Sequence, residues 1–106
     1  MADEFEQFTD YQGRVIRLTM ERWTHIRDHP EMTDQRDRLR ETLAMPDVVI
    51  ETVKDVTVHV YHRLYEQTPV TRKYLLVVVK ILTEDAFVIT AFFSGRLKRG
   101  NVRWQA

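Results

Sequence analysis

The sequence predicts an α+β domain, two N-terminal helices packed on a four-stranded antiparallel sheet. Three observations predict it. Apolar residues recur at helical spacing only before Pro46. From Val48 onward the period becomes two, and β-branched and aromatic residues dominate. The breaks between those later runs are short enough to be hairpins.

The first ten residues are acidic, with Asp3, Glu4, Glu6 and Asp10, so residues 1–13 read as a flexible arm ending at Gly13. Arg14 to Thr19 alternates weakly and reads as an edge strand. Thr19 is placed to cap a helix from Met20 to about Asp28, because its hydroxyl can accept from a free N–H of the first turn. Pro30 ends that helix, since the residue before a proline is pushed out of the α region. Thr33 and Asp34 restart a second helix, with Leu39 and Leu43 on one face, and Pro46 stops it.

Strands are then expected at Val48 to Val53, Val56 to Tyr65, Tyr74 to Leu82 and Ala86 to Phe93, with a longer loop over Gln67 to Arg72. The stretch from Ser94 to Trp104 is basic and contains Gly95 and Gly100. It reads as a loop running into a short last strand.

At 106 residues with 43% hydrophobic content, the chain has material for one core and one domain, residues 1–106. Basic and acidic residues balance at 16 each, so the net charge offers no long-range attraction to nucleic acid, and any anion site must come from local clustering. Arg96, Lys98, Arg99 and Arg103 supply such a cluster, with no carboxylate side chain after Asp85. Residues 94–106 are thus either an anion-facing segment or a solvated tail. The absence of cysteine excludes disulfides, thiolate metal sites and a cysteine nucleophile. The longest apolar run, Leu75 to Val79, is too short to span a bilayer, and the acidic N-terminus has no secretory pattern. The expectation is a cytoplasmic protein with no membrane contact.

Two stretches can carry chemistry. In the Val56 to Tyr65 strand, alternation puts Val56, Val58, Val60, His62 and Leu64 on one side, read as core. Thr57, His59, Tyr61, Arg63 and Tyr65 fall on the other. Arginine, histidine and two tyrosines together can grip a phosphate and stack a base, although a solvated sheet face looks the same. In the first helix, Arg22, His25 and His29 share a stripe. A histidine near a helix C-terminus suits an acid or a phosphate contact because the helix dipole favours a cation there, although a surface histidine ending a helix has the same spacing. The i, i+4 pair His25 and His29 also permits a metal, but Ile26 stands where a zincin motif needs glutamate and Pro30 breaks the helix at the second ligand. No metal and no cofactor are therefore expected.

Taken in order, Leu18-Thr19, Glu21-Arg22-Trp23 with His25-Ile26 and His29-Pro30-Glu31, Pro46-Asp47, Tyr74-Leu75 with Val77-Val78-Val79, Val88-Ile89-Thr90-Ala91, Gly100 and Trp104 form a pattern. Over residues 14 to 104 the chain resembles small phage-borne and bacterial members of the barnase, EndoU, colicin and RelE-like nuclease superfamily. The resemblance implies helices on a four-stranded antiparallel sheet and a toxin-like, metal-independent cleavage of RNA. It implies RNA as substrate, and a neutralising antitoxin or immunity protein as the kind of partner to expect. By position, His25 and His29 correspond to the helix histidines and Thr90 to the hydroxyl of the Ile-Thr-Ala segment. The tyrosine that often follows that segment in similar proteins is Phe92 here.

Such cleavage needs a base for the 2'-hydroxyl, a proton for the leaving oxygen and fixed positive charge on the phosphorane. The expected catalytic set is His25, His29, Arg63 and Thr90, with Arg63 as phosphate clamp. Arg22, Tyr61, Tyr65, Ser94 and Lys98 would contact substrate. The alternative is a non-catalytic module that uses the same residues to bind protein or nucleic acid.

Overall fold

Period-two patterning takes more of the chain into the sheet than the four runs after Pro46. The computed structural model describes residues 5–106 and contains seven strands: β1 (Phe5–Thr9), β2 (Val15–Thr19), β3 (Val48–Thr52), β4 (Val58–Tyr65), β5 (Lys73–Ile81), β6 (Ala86–Ser94) and β7 (Gly100–Gln105). They form one mixed sheet in the order β1-β2-β6-β5-β4-β3-β7. This corrects the expected four-stranded antiparallel sheet. The four expected strands are present as its antiparallel centre, β6-β5-β4-β3. The sheet is mixed because β2 meets β6 in parallel, with Arg17 opposite Phe87.

The extra strands have local causes. Residues 5–9 belong to the stretch read as an acidic arm, yet they pair antiparallel with β2 and bury Phe8. The turn between them is held by Asp10, whose carboxylate accepts from the backbone N–H of Gln12 at 2.9 Å and of Arg14 at 2.8 Å. Gly13 supplies the left-handed turn residue at φ +84°. The strand read as an edge, β2, is therefore interior. Its Arg17 makes a two-point ion pair with Asp85, Nε to Oδ1 at 3.0 Å and Nη2 to Oδ2 at 2.7 Å, which holds Asp85 below the usual carboxylate range.

Helix α1 spans Met20–Arg27, and Thr19 caps it by accepting from Arg22 N–H at 3.1 Å. Helix α2 spans Arg36–Ala44, starting after a single 3-10 turn over Pro30–Met32. Its start lies later than Thr33 because the Thr33 hydroxyl bonds back to the Pro30 carbonyl at 2.9 Å. Trp23 and Ile26 of α1 and Leu39 and Leu43 of α2 join Leu75, Val77, Val79, Val88 and Ala91 in one buried cluster, so both helices cover the same face of the sheet.

That face of β4 is not the expected one. Tyr61 lies in the cluster under the helices, while Val58, Val60 and His62 point to the opposite, open face. Val56 precedes the strand and is exposed. The reversal follows from what α2 offers. Its C-terminal half presents the Glu41 carboxylate and the Met45 carbonyl to the sheet, and Arg63 and Tyr65 of β4 satisfy them. Among the described residues no helix is long and apolar enough to cross a membrane.

Candidate active site

The residues singled out in the sequence fall into separate places. Arg22, His25 and His29 are all exposed. His25 Nδ1 lies 3.9 Å from Asp28 and His29 Nδ1 3.7 Å from Glu31, both within their own segment. Arg63 and Tyr65 face α2. The Arg63 guanidinium donates to Glu41 Oε1 at 3.2 Å and to the Met45 carbonyl at 2.6 Å. The Tyr65 hydroxyl donates to the same Glu41 oxygen at 2.7 Å, and burial pushes the phenol up to about 12. These contacts clamp helix to sheet and take up the Arg63 Nε and Nη1 and the Tyr65 hydroxyl.

Thr90, opposite Val78, and Ser94, opposite Tyr74, lie on the open face, and Lys98 is held to that face by its N–H bond to His62. The sheet therefore separates Thr90 from Arg63, and one cleft does not hold the expected catalytic set.

A different set does converge, on the helix-side face at the β4-β3-β7 edge. Alternation in β4 puts His59 two positions from Tyr61, and β3 brings Glu51 directly opposite His59. His59 Nε2 lies 3.9 Å from Glu51 Oε1, and Arg103 Nη1 of β7 approaches the same oxygen at 3.7 Å. The β1–β2 hairpin adds Arg14, whose guanidinium reaches Asp10 Oδ2 at 3.2 Å and the Tyr61 hydroxyl at 3.5 Å.

The electrostatics of the set are unequal. Burial is the main cause that lowers the His59 pKa, followed by the positive charges of Arg103 and Arg14, while Glu51 opposes them. At neutral pH the imidazole is accordingly neutral and able to accept a proton. Tyr61 is its contrast, because burial and its bond to Asp10 push the phenol far above its usual range and keep it protonated. The His59 and Glu51 side chains are 12% and 16% exposed, whereas Arg103 is 55% and Arg14 34% exposed. The guanidiniums thus stand at the rim and the acid–base pair below them. Chemically, this arrangement can hold an oxyanion at the rim and accept a proton beneath it.

Of this set, sequence reasoning grouped His59 and Tyr61 by strand alternation. It placed Arg103 in a basic C-terminal cluster without linking it to His59, and it missed Glu51 and Arg14: β3 pairing brings Glu51 and Arg103 to His59, and the Asp10–Tyr61 contact brings Arg14. Among the described residues no three His, Asp or Glu side chains gather as metal ligands. Compared with known proteins, the chain matches no family model, no curated protein and no solved structure.

Proposed function

We propose that the chain is a metal-independent ribonuclease whose acid–base group is His59, with Glu51, Arg14 and Arg103 around it. The observation that carries this reading is the neutral imidazole within 4 Å of a carboxylate under two guanidiniums. The superfamily resemblance supplies RNA as the substrate class. The residues are not those the resemblance pointed to.

In this reading Arg14 and Arg103 hold the scissile phosphodiester. His59 takes the proton of the 2'-hydroxyl as its oxygen attacks phosphorus, and Glu51 steadies the imidazolium that forms. The P–O5' bond breaks, leaving a 2',3'-cyclic phosphate on one product. The departing 5'-oxygen takes a proton from water, and His59 returns its own to solvent.

The test is RNA incubated with the purified full chain in EDTA, with product ends identified. Cleavage to cyclic phosphates that is lost in His59→Ala and weakened in Arg103→Ala, both still folded by circular dichroism, supports the proposal. No cleavage at any protein ratio overturns it. Cleavage lost in His25→Ala but retained in His59→Ala moves the chemistry to the helix instead.

A further inference from the structure

The open face of the sheet, away from His59, carries a groove of about 460 Å³. Its floor is Val58 and Val60 of β4, Leu76 and Val78 of β5, and Phe92 of β6. One wall is the end of β3 with the β3–β4 turn, and the other is the loop of residues 95–99. His62 holds that loop across the face: Lys98 N–H donates to His62 Nε2 at 2.9 Å, and the opposite ring nitrogen donates to the Val48 carbonyl at 3.3 Å. The wall is thus a fixed part of the fold rather than a tail lying on it.

The rim is cationic. Lys54, Lys98 and Arg99 line the groove, no carboxylate does, and among the described residues none of the three is ion-paired. The apolar surface extends past the floor through exposed Val53, 76% accessible, and Val102, 57% accessible, the latter paired with Ile50 of β3. An apolar trough rimmed by unpaired cations marks an interaction site. Its floor is aliphatic except for Phe92, so it offers aliphatic side chains a close fit and nucleobases little to stack on.

We propose that this groove docks an acidic, amphipathic segment of a protein partner. Its aliphatic side chains lie on the floor, and its Asp or Glu carboxylates meet Lys54, Lys98 and Arg99. The proposal rests on the groove alone and is independent of the ribonuclease reading.

A short random-peptide phage library panned on the immobilised full chain tests it. The expected consensus joins aliphatic with acidic residues. A synthetic peptide of that consensus should shift the methyl resonances of Val58, Val60, Leu76 and Val78, and should bind at least about tenfold more weakly to Lys54→Glu/Arg99→Glu. Selection of basic peptides or of none overturns the proposal, as does unchanged affinity in the double variant. So does displacement of the peptide from those methyls by a short fluorescent RNA, or concentration-dependent self-association through them. Because Lys54 and Arg99 lie outside the His59 cluster, RNA cleavage by the double variant reads the other proposal separately.

Discussion

The phenol of Tyr61 donates a 2.6 Å hydrogen bond to Asp10 Oδ2, joining the middle of β4 to a turn 51 residues earlier. Asp10 has a wholly buried side chain and also accepts from two backbone N–H groups and from Arg14. One carboxylate therefore closes the β1–β2 hairpin, docks it on the central sheet and places Arg14. Tyr61→Phe should cost about 1.5–2 kcal/mol, the lower part of the range for one hydrogen bond to a charged group. Asp10→Ala should cost about 3 kcal/mol, because it leaves the buried Tyr61 hydroxyl and three part-buried donors unmet. Urea denaturation of both variants checks the order, and equal losses would show that the network does not centre on Asp10.

His62 sets a pH dependence of stability. Burial lowers its pKa below the ordinary imidazole value, and its Lys98 contact requires Nε2 to stay unprotonated. In the unfolded chain the ring takes a proton near pH 6.5, whereas in the folded chain it does so only at lower pH. The unfolded state therefore binds more protons in that window, and stability is full above about pH 6.5 and falls as the pH drops below it. His59 is shifted in the same direction and adds to the effect. The urea midpoint should decline from pH 7.5 to pH 5, and His62→Leu should flatten the decline while leaving the His59 part. A midpoint independent of pH in the wild type would refute this.

Gly100 lets β7 pair beside β3. Its φ is +154°, and a Cβ built there would sit 2.2 Å from the Glu51 carbonyl oxygen and 2.8 Å from Ile50 Cγ2. Backbone cannot yield as a flexible side chain can, so Gly100→Ala should cost about 2–3 kcal/mol. It should also displace Glu51 and Arg103, so any RNA cleavage should fall by more than stability alone explains. Calorimetry and a cleavage assay on the folded fraction measure the two effects.

These relationships show which parts of the molecule the sequence could reveal. Both helices and the four central strands were legible because each is written in local periodicity, as with Leu39 and Leu43 or the run from Leu75 to Val79. Thr19 was legible as a cap for the same reason. β1 was hidden because its only buried residue is Phe8, and its acidic neighbours resemble a solvated arm. The buried side of β4 was misassigned because both faces are filled: Tyr61 and His62 are adjacent and equally enclosed. Alternation separates two faces without saying which one the helices take. Glu51 and Arg14 are ordinary charges in sequence and Arg103 only one of a basic cluster; β3–β4 and β3–β7 pairing makes Glu51 and Arg103 neighbours of His59, and the docked β1–β2 hairpin supplies Arg14.

The acid–base assignment makes a prediction about pH and rate. If His59 works as the neutral base, cleavage should rise with pH through a value below the ordinary imidazole range and then level off, since only the unprotonated ring can accept. Glu51 raises the His59 pKa, opposing burial and the two arginines. Glu51→Gln removes that support, so the rising limb should move to lower pH. Its plateau should fall by about 10²-fold, because the imidazolium formed in the transition state loses its stabilising charge. Arg103→Ala removes a charge that lowers the pKa, so its limb should move to higher pH while substrate binding weakens. Limbs moving in opposite directions in the two variants would tie the rate to His59 itself, and a profile that neither substitution moves would place the proton transfer elsewhere.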